Sequence, residues 1–246
     1  MAAIALAVVA ALGDEIRLLR SRMREPRPVE LDSARVTVGT WGSLPLVLVR
    51  TGMGPAAMER ALLQVLLEFA PQFCLHLGYS GAAHPELRPG DLVVATTLID
   101  ASRRLSFEVS PGLVAKAEKL RRQAGLPGRT GALVILDRVA RSPREKAAHG
   151  REHQAVAVDM ESAVLARVCR TAGVPFLVVR SILDHLDYHL SDPVEEKSGG
   201  HPRPRRVNPL KTGPLSELAD RARRSLTAFA AAWIEAMADT WPDRSL

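Results

Sequence analysis

The sequence predicts a single α/β domain of three layers, an αβα sandwich with helices on both sides of a central mixed sheet. Short apolar runs alternate with helical patterns along most of the chain, which is how such layers are written in sequence. Each run ends at a glycine or an acidic residue just before the next helical pattern. The 246 residues are 47% apolar, enough for one large core, but only 4% aromatic. A core of Ala, Val and Leu suits helices packed on a sheet better than an all-β sandwich.

The first apolar run, Ile4–Leu12, reads as a buried strand. It leads into Asp14–Arg24, where Ile16, Leu19 and Met23 stand at helical spacing. Pro45–Arg50 is a second strand, followed by Thr51-Gly52-Met53-Gly54 and a helix over Pro55–Phe69 with proline at its first position. Phe73–Leu77 is a strand ending at Gly78-Tyr79-Ser80-Gly81. Asp91–Ile99 follows a Pro-Gly turn and is rich in β-favouring residues. A helix over Pro111–Gln123, a strand at Ala132–Leu136, a helix near Pro143–His149 and a strand at Ala155–Asp159 come next. Glu161–Thr171 is helical and stops at Gly173; Phe176–Ile182 is the last strand, and Pro214–Met237 a long amphipathic helix. One domain is expected over residues 1–246. Within it, residues 191–213 hold four prolines, three glycines and five Lys/Arg, a long loop of the kind that often serves function.

Bulk charge decides little. The net charge of +6 comes from arginines spread over the whole chain, as on an ordinary solvated surface. The basic stretch His201–Arg206 lacks the interleaved aromatics that stack bases, so no nucleic-acid partner is expected. Two cysteines, Cys74 and Cys169, lie in apolar runs and suit a reducing, cytoplasmic setting. The opening run has no basic residue ahead of it and is shorter than the roughly 20 residues a membrane span needs, so neither a signal peptide nor an integral membrane segment is expected.

Sites in open α/β sheets form where strands run out into loops. The strand ends here supply Glu15, Gly52 and Gly54, Gly78 to Gly81, Asp159 to Glu161, and Asp184 with His185. Carboxylates at three such ends fit acid/base chemistry, although Glu15 alone would suit a helix N-terminus and Asp184 alone a turn. Without a neighbouring Cys/His cluster they argue against a transition metal and leave Mg²⁺ as an alternative. The seven histidines are read as having no HExxH motif and no ligand-pair spacing. Neither the Thr51–Gly54 turn nor Gly78–Gly81 matches a nucleotide loop or a nucleophile elbow. No metal and no cofactor is expected.

The run AVAVDMESAVLARVCRTAGVPFLVVRSILDHLD resembles the C-terminal signature of the 5′-methylthioadenosine/S-adenosylhomocysteine nucleosidases of the purine nucleoside phosphorylase superfamily. AIALAVVAALGDEIRLL, VLVRTGMGPAAMERAL and LHLGYSGAAHPELRPGDLVVA match in the same order, covering most of residues 3–187. The resemblance implies a nucleoside phosphorylase-like fold, a small-molecule nucleoside substrate, a cytoplasmic homodimer, and hydrolysis that releases adenine. It implies Glu15 as the general base for water, Arg180 as the residue holding that water, and Asp184 as the acid that protonates N7 of the purine. Glu161 would bind the ribose hydroxyls and Met160 pack under the ribose, with Gly52, Tyr79, Ser80, Gly81 and Val139 around the substrate. Three departures stand out. Tyr79 replaces a small residue and would reshape the pocket, Leu183 stands where a serine usually precedes the acid, and the phosphorylases' Gly-Asp-Pro-x-Arg loop and arginine are absent, with Ala11 to Asp14 and His76 in their place. Water is therefore the expected nucleophile, with a phosphate-dependent phosphorylase as the alternative. SPREKAAHGREHQAVAVDMESA also resembles the hopanoid branch, which acts on adenosylhopane; a futalosine-type nucleosidase is a further possibility, and a non-catalytic nucleoside or nucleic-acid binder another.

Overall fold

The computed structural model describes residues 4–190 and 214–241; the Pro/Arg-rich stretch 191–213 lies outside them. The elements in chain order are β1 (Leu6–Ala10), α1 (Gly13–Arg20), β2 (Arg24–Leu31), β3 (Ala34–Trp41), β4 (Leu44–Arg50), α2 (Pro55–Phe69), β5 (Phe73–Ala82), β6 (Leu92–Asp100), β7 (Leu105–Glu108), α3 (Pro111–Gln123), β8 (Gly128–Ile135), α4 (Pro143–His153), β9 (Ala155–Asp159), α5 (Ser162–Ala172), β10 (Phe176–Asp184) and α6 (Pro214–Ala238).

All the strands join one mixed sheet in the order β10-β6-β8-β9-β5-β1-β4-β3-β2, with β7 on β6 and a further pairing of β10 with β5. That last pairing curls half of the sheet into a closed ring of β5, β10, β6, β8 and β9. β1 lies between β4 and β5, parallel to both, and all five of its residues are buried. Burial on two faces explains why LAVVA shows no polar alternation.

Helices cover both sides. α6 packs against α1, α3 and β10, while α2 packs against α5 and α4 lies on β8 and β9. α6 buries Ala219, Ala222, Leu226, Phe229 and Trp233 at three- and four-residue steps, one stripe of a 3.6-residue period. Trp233 stacks on Phe73 of β5, ring centroids 5.5 Å apart.

In the antiparallel meander β2-β3-β4 the sequence predicts β4 but neither β2 nor β3, and the reason is physical. Arg24-Glu25-Pro26-Arg27-Pro28 is almost wholly exposed, so it lacks the apolar pattern by which strands are read. Its two prolines are tolerated because β2 ends the sheet, where a missing N–H faces solvent.

Candidate active site

The carboxylates expected at the strand ends do gather at one edge of the sheet, around the last turns of β5. Glu15 sits at the third position of α1, just after β1, and is buried. Its two oxygens accept different backbone donors: Oε2 takes Leu12 N–H at 2.8 Å and Oε1 takes Tyr79 N–H at 2.9 Å. It is thus both a helix cap and a side chain pinned against β5. Burial pushes its pKa up to about 7, against the pull of those two N–H groups and of Arg180.

Arg180, on β10 opposite Gly78, is buried and held on three sides. Nε donates to Asp159 Oδ2 at 2.6 Å, Nη2 donates to Ser162 Oγ at 2.7 Å, and Nη2 meets the His76 ring at 3.0 Å. Nη1 is buried and has no hydrogen-bond partner among the described residues. A β-carbon on Gly78 would fall 2.5 Å from Nη1 and 3.3 Å from Glu15 Oε1. Only a glycine there lets the guanidinium and the carboxylate share that corner. Burial and the neighbouring guanidinium together hold His76 well below the usual histidine range. Asp159 is held low as well: burial raises its pKa, but Arg180, His76 and the hydrogen bond from Ser162 keep its carboxyl well below the usual range.

Asp159 also accepts from the N–H groups of Met160 and Glu161 at the start of α5. This sets Glu161 at the N-cap position, from which its Oε1 reaches across to Gly54 N–H at 2.7 Å. Gly52 and Gly54 have φ of +85° and +94°, a backbone that favours glycine and aims that N–H at Glu161. Burial, then the charge of Asp159, pushes Glu161 up to about 7.

Asp184 ends β10. The register with β5 slips between Ile182 and Asp184, and bulges of this kind re-aim a side chain; here both carboxylate oxygens come to lie 3.4 Å from where a β-carbon of Gly81 would be. The bulge, with Leu183 inside it, orients the acid in the absence of a serine. Oδ2 accepts from Lys146 Nζ at 2.6 Å, and the same ammonium donates to the carbonyls of His185 and Tyr188 at 2.7 and 2.9 Å. Lys146, on α4, has no exposed surface. Burial raises the Asp184 pKa while Lys146 restrains the rise.

Glu15 and Asp184 therefore flank the two ends of Gly78–Gly81, about 10 Å apart along an extended strand. Between them lies Ser80, buried and with its Oγ unpartnered among the described residues. Buried polar atoms seldom go without partners, and among the described residues Ser80 Oγ and, beside Gly78, Arg180 Nη1 do. Gly81 pairs opposite Asp184. Met160 is half-buried beside Glu161, and Val139 is exposed between β8 and α4. Tyr79 turns the opposite way from Ser80: its hydroxyl donates to Asp14 Oδ2 at 2.8 Å, in a cluster completed by Arg223 of α6, which donates to the same carboxylate. The bulky side chain is accommodated behind the strand, against α1 and α6.

Lys146 and Ser162 carry no expectation from the sequence; His76 enters it only in place of the phosphorylases' arginine, and Asp159 only as a strand end. Asp159 sits inside the VDMES run and was within reach of the sequence; nothing around Lys146 in SPREKAAHG marks it. The reading of the histidines also needs correction: His149 and His153 do stand at ligand-pair spacing, with Glu152 beside them.

A mixed sheet with this strand order, ending in buried carboxylates around a glycine-rich strand end, defines the class. The chain belongs to the phosphorylase superfamily, whose family model matches residues 5–200. More particularly, it is 30% identical over 197 residues to a 5′-methylthioadenosine/S-adenosylhomocysteine nucleosidase of Geobacillus thermodenitrificans, spanning 72% of this chain and 83% of the relative. It is 28% identical over 194 residues to the nucleosidase of the same description from Aeromonas salmonicida, spanning 72% and 84%. Among solved structures, the nucleosidase of Neisseria meningitidis in complex with methylthio-immucillin-A superposes with a TM-score of 0.78 at 22% identity, over 94% of this chain and 99% of that one. Futalosine hydrolase of Helicobacter pylori superposes with a TM-score of 0.74 at 21% identity, over 97% and 98%. These two share the fold. No described helix is long and apolar enough to cross a membrane.

Proposed function

We propose that this protein hydrolyses the N-glycosidic bond of adenine nucleosides of the 5′-methylthioadenosine type, releasing adenine. The observation that carries the reading is the pair of buried carboxyls at the two ends of Gly78–Gly81, with Arg180 Nη1 beside Glu15 and without a partner among the described residues. The identity to curated nucleosidases supports it.

In this reading the sugar lies over the strand end, with its base toward Asp184. Breaking the C1′–N9 bond sends the electron pair to the purine and leaves the ribose cationic. Asp184 gives its proton to N7, which neutralises the leaving base. As the acid loses that proton, Lys146 at 2.6 Å stabilises the carboxylate that forms, an interaction stronger in the transition state than before it. Water adds to C1′ and passes a proton to Glu15, whose pKa of about 7 suits a base working near neutrality. Arg180 Nη1 holds the water oxygen. Glu161 accepts from the ribose hydroxyls, more strongly as the ring turns cationic. Met160 packs under the ribose, and Gly52 and Val139 border the substrate.

The protein works, in this reading, as a cytoplasmic homodimer; α2 leaves Leu63 and Leu67, one turn apart, exposed, and analytical ultracentrifugation reads the mass. The function itself is tested with a panel of adenine nucleosides of different 5′ groups in phosphate-free buffer. Free adenine and free pentose from methylthioadenosine are expected. Dependence on added phosphate with ribose 1-phosphate as product would make it a phosphorylase. Turnover confined to a lipid-linked or futalosine-type nucleoside would move the substrate, and release from none would overturn the reading.

A further inference from the structure

The helix that supplies Lys146 carries another cluster of chemistry in its last turn, apart from the carboxylate site. His149 and His153 lie four residues apart on α4 and so face the same side of the helix. Their rings are nearly parallel, 12° between planes and 6.1 Å between centroids. Glu152 brings a carboxylate oxygen to 3.9 Å from His153 Nε2. One ligand atom from each of the three lies within 4.8 Å of the other two.

These separations are close to what a small cation needs. Bonds of about 2.0–2.2 Å in tetrahedral array set ligand atoms roughly 3.4 Å apart. Glu152 is exposed, so its carboxylate can move relative to the two imidazoles at little cost. A second observation points the same way. His149 Nδ1 is buried without a hydrogen-bond partner among the described residues, whereas ring nitrogens in an ordinary buried setting are paired.

We propose that His149, Glu152 and His153 form a binding site for a borderline divalent transition ion, with Zn²⁺ as the type case and water completing the shell. Two imidazoles and one carboxylate suit zinc, copper or nickel; magnesium and calcium prefer sets made of oxygen. The site shares no residue with Glu15, Glu161 or Asp184, so it stands or falls separately from the nucleosidase reading.

Titration calorimetry of the full chain with ZnCl₂ alone tests it. One equivalent should bind, and His153→Gln should weaken binding at least about tenfold while six other histidines stay in place. Glu152→Gln, on an exposed side chain, gives a second arm without risk to folding and should also weaken binding. With Cu²⁺ as a paramagnetic probe, electron spin resonance should show two nitrogen ligands in the parent chain and one in His149→Gln. MgCl₂ should give no binding heat. The proposal is overturned if the parent chain takes up no zinc, or if His153→Gln and Glu152→Gln both bind it as tightly as the parent does.

Discussion

Glu15 does two things at once, and they pull in opposite directions. Its oxygens cap α1 and fasten it to β5, yet burial makes its ionised form costly, which is why its pKa sits at about 7. Between the ordinary 4.5 and about 7 the native state keeps a proton that the unfolded chain has lost. Stability therefore falls as pH rises through that window, and the loss is complete above it, of order 3 kcal/mol. Glu15→Gln should abolish adenine release while gaining stability relative to the parent as pH rises from about 5 to 8, read by urea denaturation at both ends. An equal offset at the two pH values would contradict an ionised, buried Glu15. Asp184→Asn keeps the shape but removes the acid, so adenine release should drop by about 10²–10⁴ with the fold intact by circular dichroism. Lys146 acts through Asp184 and not on substrate. Lys146→Met should slow the reaction by leaving the carboxylate that forms on Asp184 without its buried partner. Once Asp184 is already Asn, however, it should slow the reaction no further. Further slowing in the double variant would give Lys146 a role of its own.

At the scale of elements, the site depends on how β5 and β10 meet. A glycine at 78 gives Arg180 and Glu15 a common corner, and the slip before Asp184 turns the acid toward Gly81. Gly78→Ala puts a methyl 2.5 Å from Arg180 Nη1 and should displace the guanidinium. Misplacement by about 1 Å can cost on the order of 10²-fold, so steady-state assays should show a fall in kcat larger than any change in Tm suggests. The same elements show what a sequence reveals and what it conceals. β1, β9, α2 and α3 are plain to read because their apolar runs are bounded by glycine, proline or acidic residues. β5 runs on through Gly78 to Ala82 where a turn is expected, since pairing with β10 and β9 outweighs the turn preference of Gly-Tyr-Ser-Gly. The meander β2-β3 goes unread because its edge strand buries almost nothing. Glu15, Glu161 and Asp184 could be picked out as acidic residues at strand ends. Lys146 could not: its role comes from α4 folding back over the end of β10, a contact made 38 residues away in sequence.

For the molecule as a whole, the closed ring of β5, β10, β6, β8 and β9 brings segments from both halves of the chain to one corner. Glu15 arrives from the start, Glu161 and Asp184 from beyond residue 160, and Arg223 from α6 braces Asp14 beneath Tyr79. The net charge of +6 takes no part in this arrangement, so activity should vary little with salt; a steep dependence would bring a polyanion back into consideration. In the working enzyme one buried carboxyl must be ionised while another is protonated. The pH dependence of kcat/KM for 5′-methylthioadenosine between about pH 5 and 9 tests this most directly. A rising limb through about 7 is expected as Glu15 and Glu161 ionise. A profile that is flat across that range, or a rising limb that survives unchanged in Glu15→Gln, would contradict it.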